Sequence, residues 1–293
     1  MTQGPYGAPQ AGAGNTPRCK NHPDRVTYVG CQRCGQPICP ECSVSAAVGM
    51  QCTDCVKQGA KETRTVRTIT GAKVVRGRPV VTITLIAICV VAFVLQLSLG
   101  WNAFTYKLAF GPGAAESEPW RFITGAILHS PSRIFHIAFN MYALWIVGSQ
   151  LEVILGRWHF LTLYILSAIG GNVMVLLLAS PTDVSWITPT IGASGAVFGL
   201  FGALLPVVKR LGGQTRSILV LIGINAVLGF IIPNVSWQGH LGGLIVGALL
   251  GWAYVKAPRE KAGVIANGAS VVMLLLLILV AVLKYASVPA LFH

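Results

Sequence analysis

Stretches of about 20 apolar residues with almost no charge recur along this chain. Inside a bilayer every backbone N–H and C=O group must be bonded within the protein, so each such stretch is expected to form a helix. Only 11% of the 293 residues are charged, whereas about a quarter are charged in a soluble domain. The sequence therefore predicts an all-α polytopic membrane protein. The seven predicted spans are residues 79–99, 132–155, 158–178, 191–208, 217–232, 237–255 and 264–288.

The spans and the segments before them divide the chain into five parts. Residues 1–17 are small, polar and rich in Gly and Pro, so we expect a disordered tail without a cleavable signal peptide. Residues 18–57 hold a cysteine block that predicts a zinc-binding domain, and residues 58–78 form a polar, basic linker. The first six spans make a core at residues 79–257, and residues 258–293 hold a seventh transmembrane helix and the C-terminus.

The positions of Lys and Arg predict the direction in which each span crosses the membrane. If the N-terminus is inside, the inner flanks hold Arg76, Arg78, Arg157, Lys209, Arg210, Arg216, Lys256, Arg259 and Lys261. The outer flanks then hold only Lys107, Arg121, Arg133 and Lys284. Cations accumulate on the cytoplasmic side of membrane proteins. We therefore expect a multi-pass protein of the cell membrane with a cytoplasmic N-terminus and zinc domain and an outer C-terminus.

The net charge of +13 raises the question of nucleic-acid binding. Many of the cations flank apolar runs, where they set topology and meet anionic lipid head groups. Membrane lipid is therefore the expected partner of these cations, and nucleic acid is disfavoured as the main partner. A weak nucleic-acid contact by the basic linker stays open.

Seven of the eight cysteines lie with one histidine in four closely spaced pairs before the first span. The candidate metal ligands are Cys19, His22, Cys31, Cys34, Cys39, Cys42, Cys52 and Cys55. Tetrahedral zinc takes four N or S ligands, so eight ligands predict two ions. Neither ligand set leaves an open position, so both ions are expected to be structural, and we expect no cofactor for catalysis. A disulfide framework is the alternative, although His22 and a cytoplasmic location count against it.

Ser194 lies between two glycines at the start of the fourth predicted span. A serine there can simply support close helix packing on a small-xxx-small surface. Spans two, four and six run in the same direction, however, which brings His136, Asn140, Ser194 and His240 to one depth below the outer surface. Polar side chains inside spans are costly and are usually functional. The alternative roles are a polar cap for His240 and a helix–helix hydrogen bond for His136 and Asn140.

These four side chains have the chemistry of a nucleophilic catalyst. His240 would take the hydroxyl proton while Ser194 attacks a carbonyl carbon. His136 and Asn140 share a helix face at spacing i, i+4 and would donate hydrogen bonds to the developing oxyanion, together with the backbone N–H of Ser194. No acidic residue is placed to serve as a third member, so we expect a Ser–His dyad.

Glycines predict that the helices carrying Ser194 and His240 lie close together, because small residues let two backbones approach. On the fourth and sixth spans these glycines are Gly192, Gly195, Gly199, Gly202, Gly243, Gly247 and Gly251.

Together these motifs resemble the rhomboid family of intramembrane serine proteases. The matching stretches are Gly192-Ala193-Ser194-Gly195, His136-x3-Asn140, His240-x2-Gly243-x3-Gly247, Trp120-Arg121 and Glu152-x3-Gly156-x3-Phe160. The resemblance implies a six-helix rhomboid core whose Ser194 and His240 cut transmembrane proteins near the outer face. It also implies an oxyanion role for His136, Asn140 and the Ser194 amide. Phe198 stands where some members carry a Tyr that packs on the catalytic histidine.

The cysteine block resembles a B-box-type zinc finger. That resemblance implies a cross-brace, with Cys19, His22, Cys39 and Cys42 on one zinc ion and Cys31, Cys34, Cys52 and Cys55 on the other. The zinc domain is a candidate module for binding a cytoplasmic protein partner.

Two other functions stay open beside the protease, whose substrates would be transmembrane proteins. One is a non-catalytic rhomboid-like membrane-protein binder, although such proteins usually lack the serine or the histidine. The other is a transporter, but the polar residues lie near one face and not at the midplane, and no inverted repeat is evident.

Overall fold

The computed structural model describes residues 16–62, 67–72, 74, 77–99, 104–231 and 235–289. The chain divides into two compact units, Met1–Thr65 and Val66–His293. Nearly all of the predicted disordered tail at 1–17 lies outside the described residues. Part of the basic linker, including Arg64, Lys73 and Arg76, also lies outside them.

The N-terminal unit is built around its cysteines. Strands β1 (Ser43–Ala46) and β2 (Gly49–Cys52) pair antiparallel, and helix α1 (Thr53–Glu62) follows directly. This hairpin was not predicted from the sequence. All seven cysteines of the block except Cys34 are buried, and they form the core of the unit with Ile38.

The second unit has a helix at each of the seven predicted positions. They are α2 (Val80–Leu99), α3 (Ile134–Leu155), α4 (Arg157–Leu178), α5 (Ser194–Arg210), α6 (Arg216–Ile231), α7 (Trp237–Lys256) and α8 (Ala262–Ala286). Helix α3 is continuous but contains a π-helical segment at Leu144–Gly148.

Among the described residues, four helices are long and apolar enough to cross a membrane. They are Val80–Leu99, Ile134–Leu155, Arg157–Leu178 and Arg259–Ala286. The other three helices fall short for local reasons: α5 has 17 residues, α6 has 16, and α7 contains glycines, Gln238 and His240 that lower its mean hydropathy. The prediction of six core spans plus one therefore stays a prediction, whereas the described residues include four helices that could cross a membrane.

Glycines bring α4, α5 and α7 together at backbone distance. A β-carbon built at Gly243 would lie 2.7 Å from the carbonyl carbon of Gly195, and one built at Gly195 would lie 3.2 Å from the carbonyl oxygen of Gly239. One built at Gly171 on α4 would lie 2.7 Å from that same oxygen. Three helices thus meet around the first turns of α5 and α7, which carry Ser194 and His240.

Glu152 joins α2 to α3. Its side chain is 4% exposed, and its carboxylate accepts the backbone N–H groups of Val81 and Thr82 at 3.0 and 2.8 Å and the Thr82 hydroxyl at 2.8 Å. The first N–H groups of a helix have no partner within the helix, and a carboxylate there also opposes the positive end of the helix dipole. The contact fixes the N-terminal end of α2 against the C-terminal end of α3.

Candidate functional site

Ser194 is the first residue of α5, so its backbone N–H has no acceptor within the helix. Gly192, two residues earlier, has φ 133°, which side-chain-bearing residues rarely adopt. A β-carbon built at Gly192 would lie 2.8 Å from His136 Nε2 and 3.6 Å from Ser194 Oγ. The side chains of His136 and Ser194 therefore approach the same point, and only glycine leaves space for both.

His240 lies in the first turn of α7, which packs against the first turn of α5 where Ser194 lies. Its ring stacks on Phe198, with ring centroids 4.1 Å apart and planes inclined by 10°. Phe198 follows Ser194 by one helical turn, so the stack holds the imidazole about one turn along α5 from the serine. The two side chains share no hydrogen bond in this structure. His240 Nδ1 is buried without a partner among the described residues, and no carboxylate bonds to it there.

His136 is oriented by the backbone of the preceding loop. The N–H of Ser130 donates to His136 Nδ1 at 3.2 Å. Because Nδ1 accepts this bond, the neutral ring carries its proton on Nε2. That N–H faces Gly192, so His136 is arranged as a hydrogen-bond donor toward the space beside Ser194.

Asn140 is buried one turn after His136, with 7% of its surface exposed. Its Nδ2 donates to the carbonyl of His136 at 2.8 Å, which turns the amide back along its own helix. An amide NH₂ group has two hydrogens, so one remains for another acceptor.

A buried polar network behind His136 was not identified from the sequence. Gln96, in α2, is 1% exposed; its Oε1 accepts the backbone N–H of His129 at 3.0 Å and its Nε2 donates to Thr105 Oγ1 at 3.1 Å. The His129 ring lies 5.2 Å from the His136 ring and donates Nδ1–H to the Ile127 carbonyl at 3.2 Å. A glutamine in an otherwise apolar span was the available signal.

His129 itself stays uncharged at neutral pH. Burial, and to a smaller extent the neighbouring His136, lowers the pKa of His129 to about 3. A neutral ring fits its role as a donor to a carbonyl inside the loop.

The connection between α2 and α3 is tied together by Arg121, which is 9% exposed. Its guanidinium donates to the carbonyl oxygens of Tyr106 and of Ala109, the latter at 2.7 Å, and pairs with Glu118. Trp120, the residue before it, is 49% exposed. A planar guanidinium can join several acceptors at once, so Arg121 holds two turns of this connection together.

In the N-terminal unit, the eight candidate ligands form two groups of four. Cys19, His22, Cys39 and Cys42 make one group, and Cys31, Cys34, Cys52 and Cys55 make the other. Within each group the ligand atoms all lie within 4.8 Å of one another. The grouping equals the cross-brace that the B-box resemblance implies, and all eight cysteines of the chain are free of disulfides.

The spacing of these atoms fits zinc. A tetrahedron with Zn–S bonds of about 2.3 Å places its sulfurs about 3.8 Å apart. Cys34 Sγ and Cys52 Sγ are 3.8 Å apart, and the backbone N–H of Cys52 donates to Cys31 Sγ at 3.2 Å. Such bonds favour the thiolate form that a metal needs. Each group has four donors, which suits a structural ion with a closed coordination shell.

Replacing Cys39 with serine should lower the bound zinc from two ions per chain to one, because three ligands remain in its group. The measurement is metal content by mass spectrometry of the purified protein. Cys89→Ser is the control: Cys89 is a buried cysteine of α2 outside both groups, so two ions should remain. A native protein without zinc, or a Cys39 variant that keeps two ions, would contradict the assignment.

Comparison with known proteins matches the same parts of the chain. The rhomboid domain model covers residues 116–257, and the B-box zinc finger model covers residues 15–46. The putative rhomboid protease YdcA of Bacillus subtilis (strain 168) is 35% identical over 154 residues, which are 51% of this chain and 74% of YdcA. The chain belongs to the rhomboid family. The match includes Trp120, Arg121, His136, Asn140, Ser194 and His240, and it ends before α8.

Other rhomboid relatives are larger than the matched region. Rhomboid protease GluP of the same B. subtilis strain is 38% identical over 181 residues, 58% of this chain and 34% of GluP. Rhomboid protein 1, mitochondrial, of Saccharomyces cerevisiae is 34% identical over 143 residues, 45% of this chain and 41% of that protein. The chain thus aligns with about a third of the length of GluP. Family membership and its apolar helices make this chain a membrane protein.

Proposed function

We propose that this rhomboid protein is an intramembrane serine endopeptidase with a Ser194–His240 dyad. The observation that carries the proposal is the stack of His240 on Phe198, one helical turn along α5 from Ser194. The approach of Ser194 and His136 to Gly192 supports it, because a nucleophile, a base and an oxyanion donor from three different helices would then act on one peptide bond. Relatives named rhomboid proteases support the same activity.

In the proposed reaction Ser194 Oγ attacks the carbonyl carbon of a peptide bond, and its proton moves to His240 Nε2. The carbonyl oxygen becomes an oxyanion that accepts bonds from His136 Nε2–H, the Ser194 backbone N–H and the remaining Asn140 hydrogen. The imidazolium then gives its proton to the departing amine as the C–N bond breaks. Water, deprotonated by the same imidazole, hydrolyses the ester and frees Ser194.

The expected substrates are transmembrane proteins whose helix unwinds readily, because a peptide bond must leave its helix before it can be attacked. Cleavage would occur near the outer face of the membrane, with the N-terminal unit in the cytoplasm. The type of membrane belongs to this proposal, since the similar proteins include mitochondrial ones. In the N-terminal unit, zinc would serve folding, and the unit would be free to bind a cytoplasmic protein.

A non-catalytic membrane-protein binder is the second candidate. The observation in its favour is that Ser194 and His240 share no hydrogen bond in this structure. Catalytic hydrogen bonds are often long without substrate and tighten when substrate binds. The lack of a bond between Ser194 and His240 therefore also fits an enzyme.

One experiment distinguishes the two candidates. The native protein, Ser194→Ala and Ser167→Ala are reconstituted in liposomes and treated with a fluorophosphonate or with labelled single-pass substrates. Ser167 is a matched control, because it is a buried serine of the adjacent α4. We expect labelling at Ser194 and substrate cleavage in the native protein and in Ser167→Ala, and neither in Ser194→Ala. A native protein that is neither labelled nor active on several substrates would reject the protease and favour the binder.

A further inference from the structure

The C-terminal end of α8 is bonded to the parts of the molecule that surround the candidate active site. Lys284 Nζ donates to the carbonyl oxygens of Leu177 at 3.2 Å and Ala179 at 2.9 Å, at the C-terminal end of α4. The last carbonyls of a helix lack partners within it, and a cation there is favourable to the helix dipole. Lys284 therefore fixes the end of α8 beside α4.

The next residue, Tyr285, reaches the connection between α2 and α3. Its hydroxyl donates to the carbonyl of Pro112 at 2.8 Å, and its ring packs edge-on against Trp186, with centroids 6.2 Å apart. The Trp186 carbonyl accepts the N–H of Gly113 at 3.0 Å. A β-carbon at Gly113 would lie 2.7 Å from Trp186 Nε1, so the turn at 112–113 packs directly on the tryptophan.

The same turn continues to the segment that carries Ser194. Phe110, two residues before Pro112, is fully buried and forms an antiparallel bridge with Thr190. The Phe110 N–H donates to the Thr190 carbonyl at 3.0 Å, and the Thr190 N–H donates to the Phe110 carbonyl at 2.6 Å. Thr190 precedes Gly192 by two residues. The path from Tyr285 to Ser194 therefore consists of two short backbone segments and the bridge between them.

We propose that Tyr285, on α8, is a positioning residue for the segment 190–193 that presents Ser194. Its hydroxyl holds Pro112, the turn at 110–112 holds Thr190, and Thr190 sets the approach of Gly192 and Ser194 to His136. The inference rests on the proposed protease function. It assigns a catalytic purpose to a helix that lies beyond the matched rhomboid domain, which ends at residue 257.

The test compares variants of the full-length protein in liposomes. Tyr285→Phe removes only the hydroxyl and keeps the ring on Trp186. Ser270→Ala is the matched control, because it also removes one hydroxyl of α8, whose contacts with Tyr254 OH at 2.6 Å and the Ala266 carbonyl at 2.8 Å lie far from Tyr285 along the same helix. For Tyr285→Phe we expect kcat to fall about fivefold, the effect of one neutral hydrogen bond, with KM changed less than about twofold. The rate of fluorophosphonate labelling at Ser194 should fall in parallel, while Ser270→Ala keeps native kinetics.

The outcomes separate this inference from the proposed function. If the native protein neither cleaves nor labels, the protease proposal fails and this one fails with it. If the native protein cleaves and Tyr285→Phe has the kcat and labelling rate of Ser270→Ala, the positioning role is overturned while the protease stands. If both variants lose kcat and thermal stability together, α8 contributes only to stability, and the positioning role is again overturned.

Discussion

Replacing Ser194 with alanine should lower kcat for substrate cleavage by at least about 10⁴-fold, and replacing His240 with alanine should cost about as much. The double variant should be no slower than either single variant. The reason is that a nucleophile and its base act as one unit: without the imidazole the hydroxyl keeps its proton, and without the hydroxyl the imidazole has no proton to take. Independent contributions would instead multiply.

The measurement is single-turnover cleavage of a labelled single-pass substrate by the three variants and the native protein in liposomes. His159→Ala is the matched control, since His159 is another histidine of the second unit. Its Nε2 lies 3.0 Å from Asn267 Oδ1 on α8, and its ring packs edge-on against Tyr254 near the C-terminal end of α7. We expect it to stay within a few-fold of native kcat. A His240→Ala variant that keeps a tenth of native activity would show that another group takes the proton.

The positions of the helices could be predicted because hydropathy is a local property. All seven predicted spans lie on helices whose ends agree within a few residues. The largest difference at an N-terminus is at the fourth span, predicted from 191 but helical from Ser194. Gly192 explains it, since φ of 133° is incompatible with a right-handed helix. This deviation places Ser194 at the helix start, where its N–H has no acceptor within the helix.

For the site, the sequence could predict that its residues lie at one depth, but not which of them contact each other. The i, i+4 spacing of His136 and Asn140 put them on one face, but it gave no sign that Asn140 bonds back to the His136 carbonyl. The contact of Gln96 with His129 joins residues 33 apart, and that of Tyr285 with Pro112 joins residues 173 apart. Pairings over such separations depend on how the helices pack, which leaves no local pattern in the sequence.

The zinc-binding unit shows the same contrast. Pair spacing predicted the ligands, and the B-box resemblance supplied the grouping that the structure has. The hairpin at residues 43–52 was missed because two four-residue strands are too short for an alternating pattern to stand out. It begins directly after Cys42 and ends at Cys52, which belong to different groups, so the hairpin connects the two sites.

Replacing Gly247 with alanine should cause a large loss of stability in the second unit, Val66–His293. A β-carbon at Gly247 would lie 2.5 Å from the Gly199 Cα and would overlap the Gly199 carbonyl. The obstructing atoms belong to the backbone, so no change of rotamer relieves the overlap and α5 and α7 must separate. Overpacking of this kind costs at least about 1–3 kcal/mol, and we expect the Tm to fall by at least about 5 °C.

The control is Gly268→Ala on α8, where a β-carbon meets no atom of the described residues within 4 Å. Alanine favours helix over glycine, so this variant should keep or slightly raise the Tm. Because α7 carries His240 and α5 carries Ser194, the same separation should also slow substrate cleavage. The cleavage rate of the Gly247→Ala variant should fall by more than the loss of folded protein at the assay temperature accounts for. Equal Tm values for the two alanine variants would contradict the close α5–α7 packing, and with it the geometry that brings the dyad together.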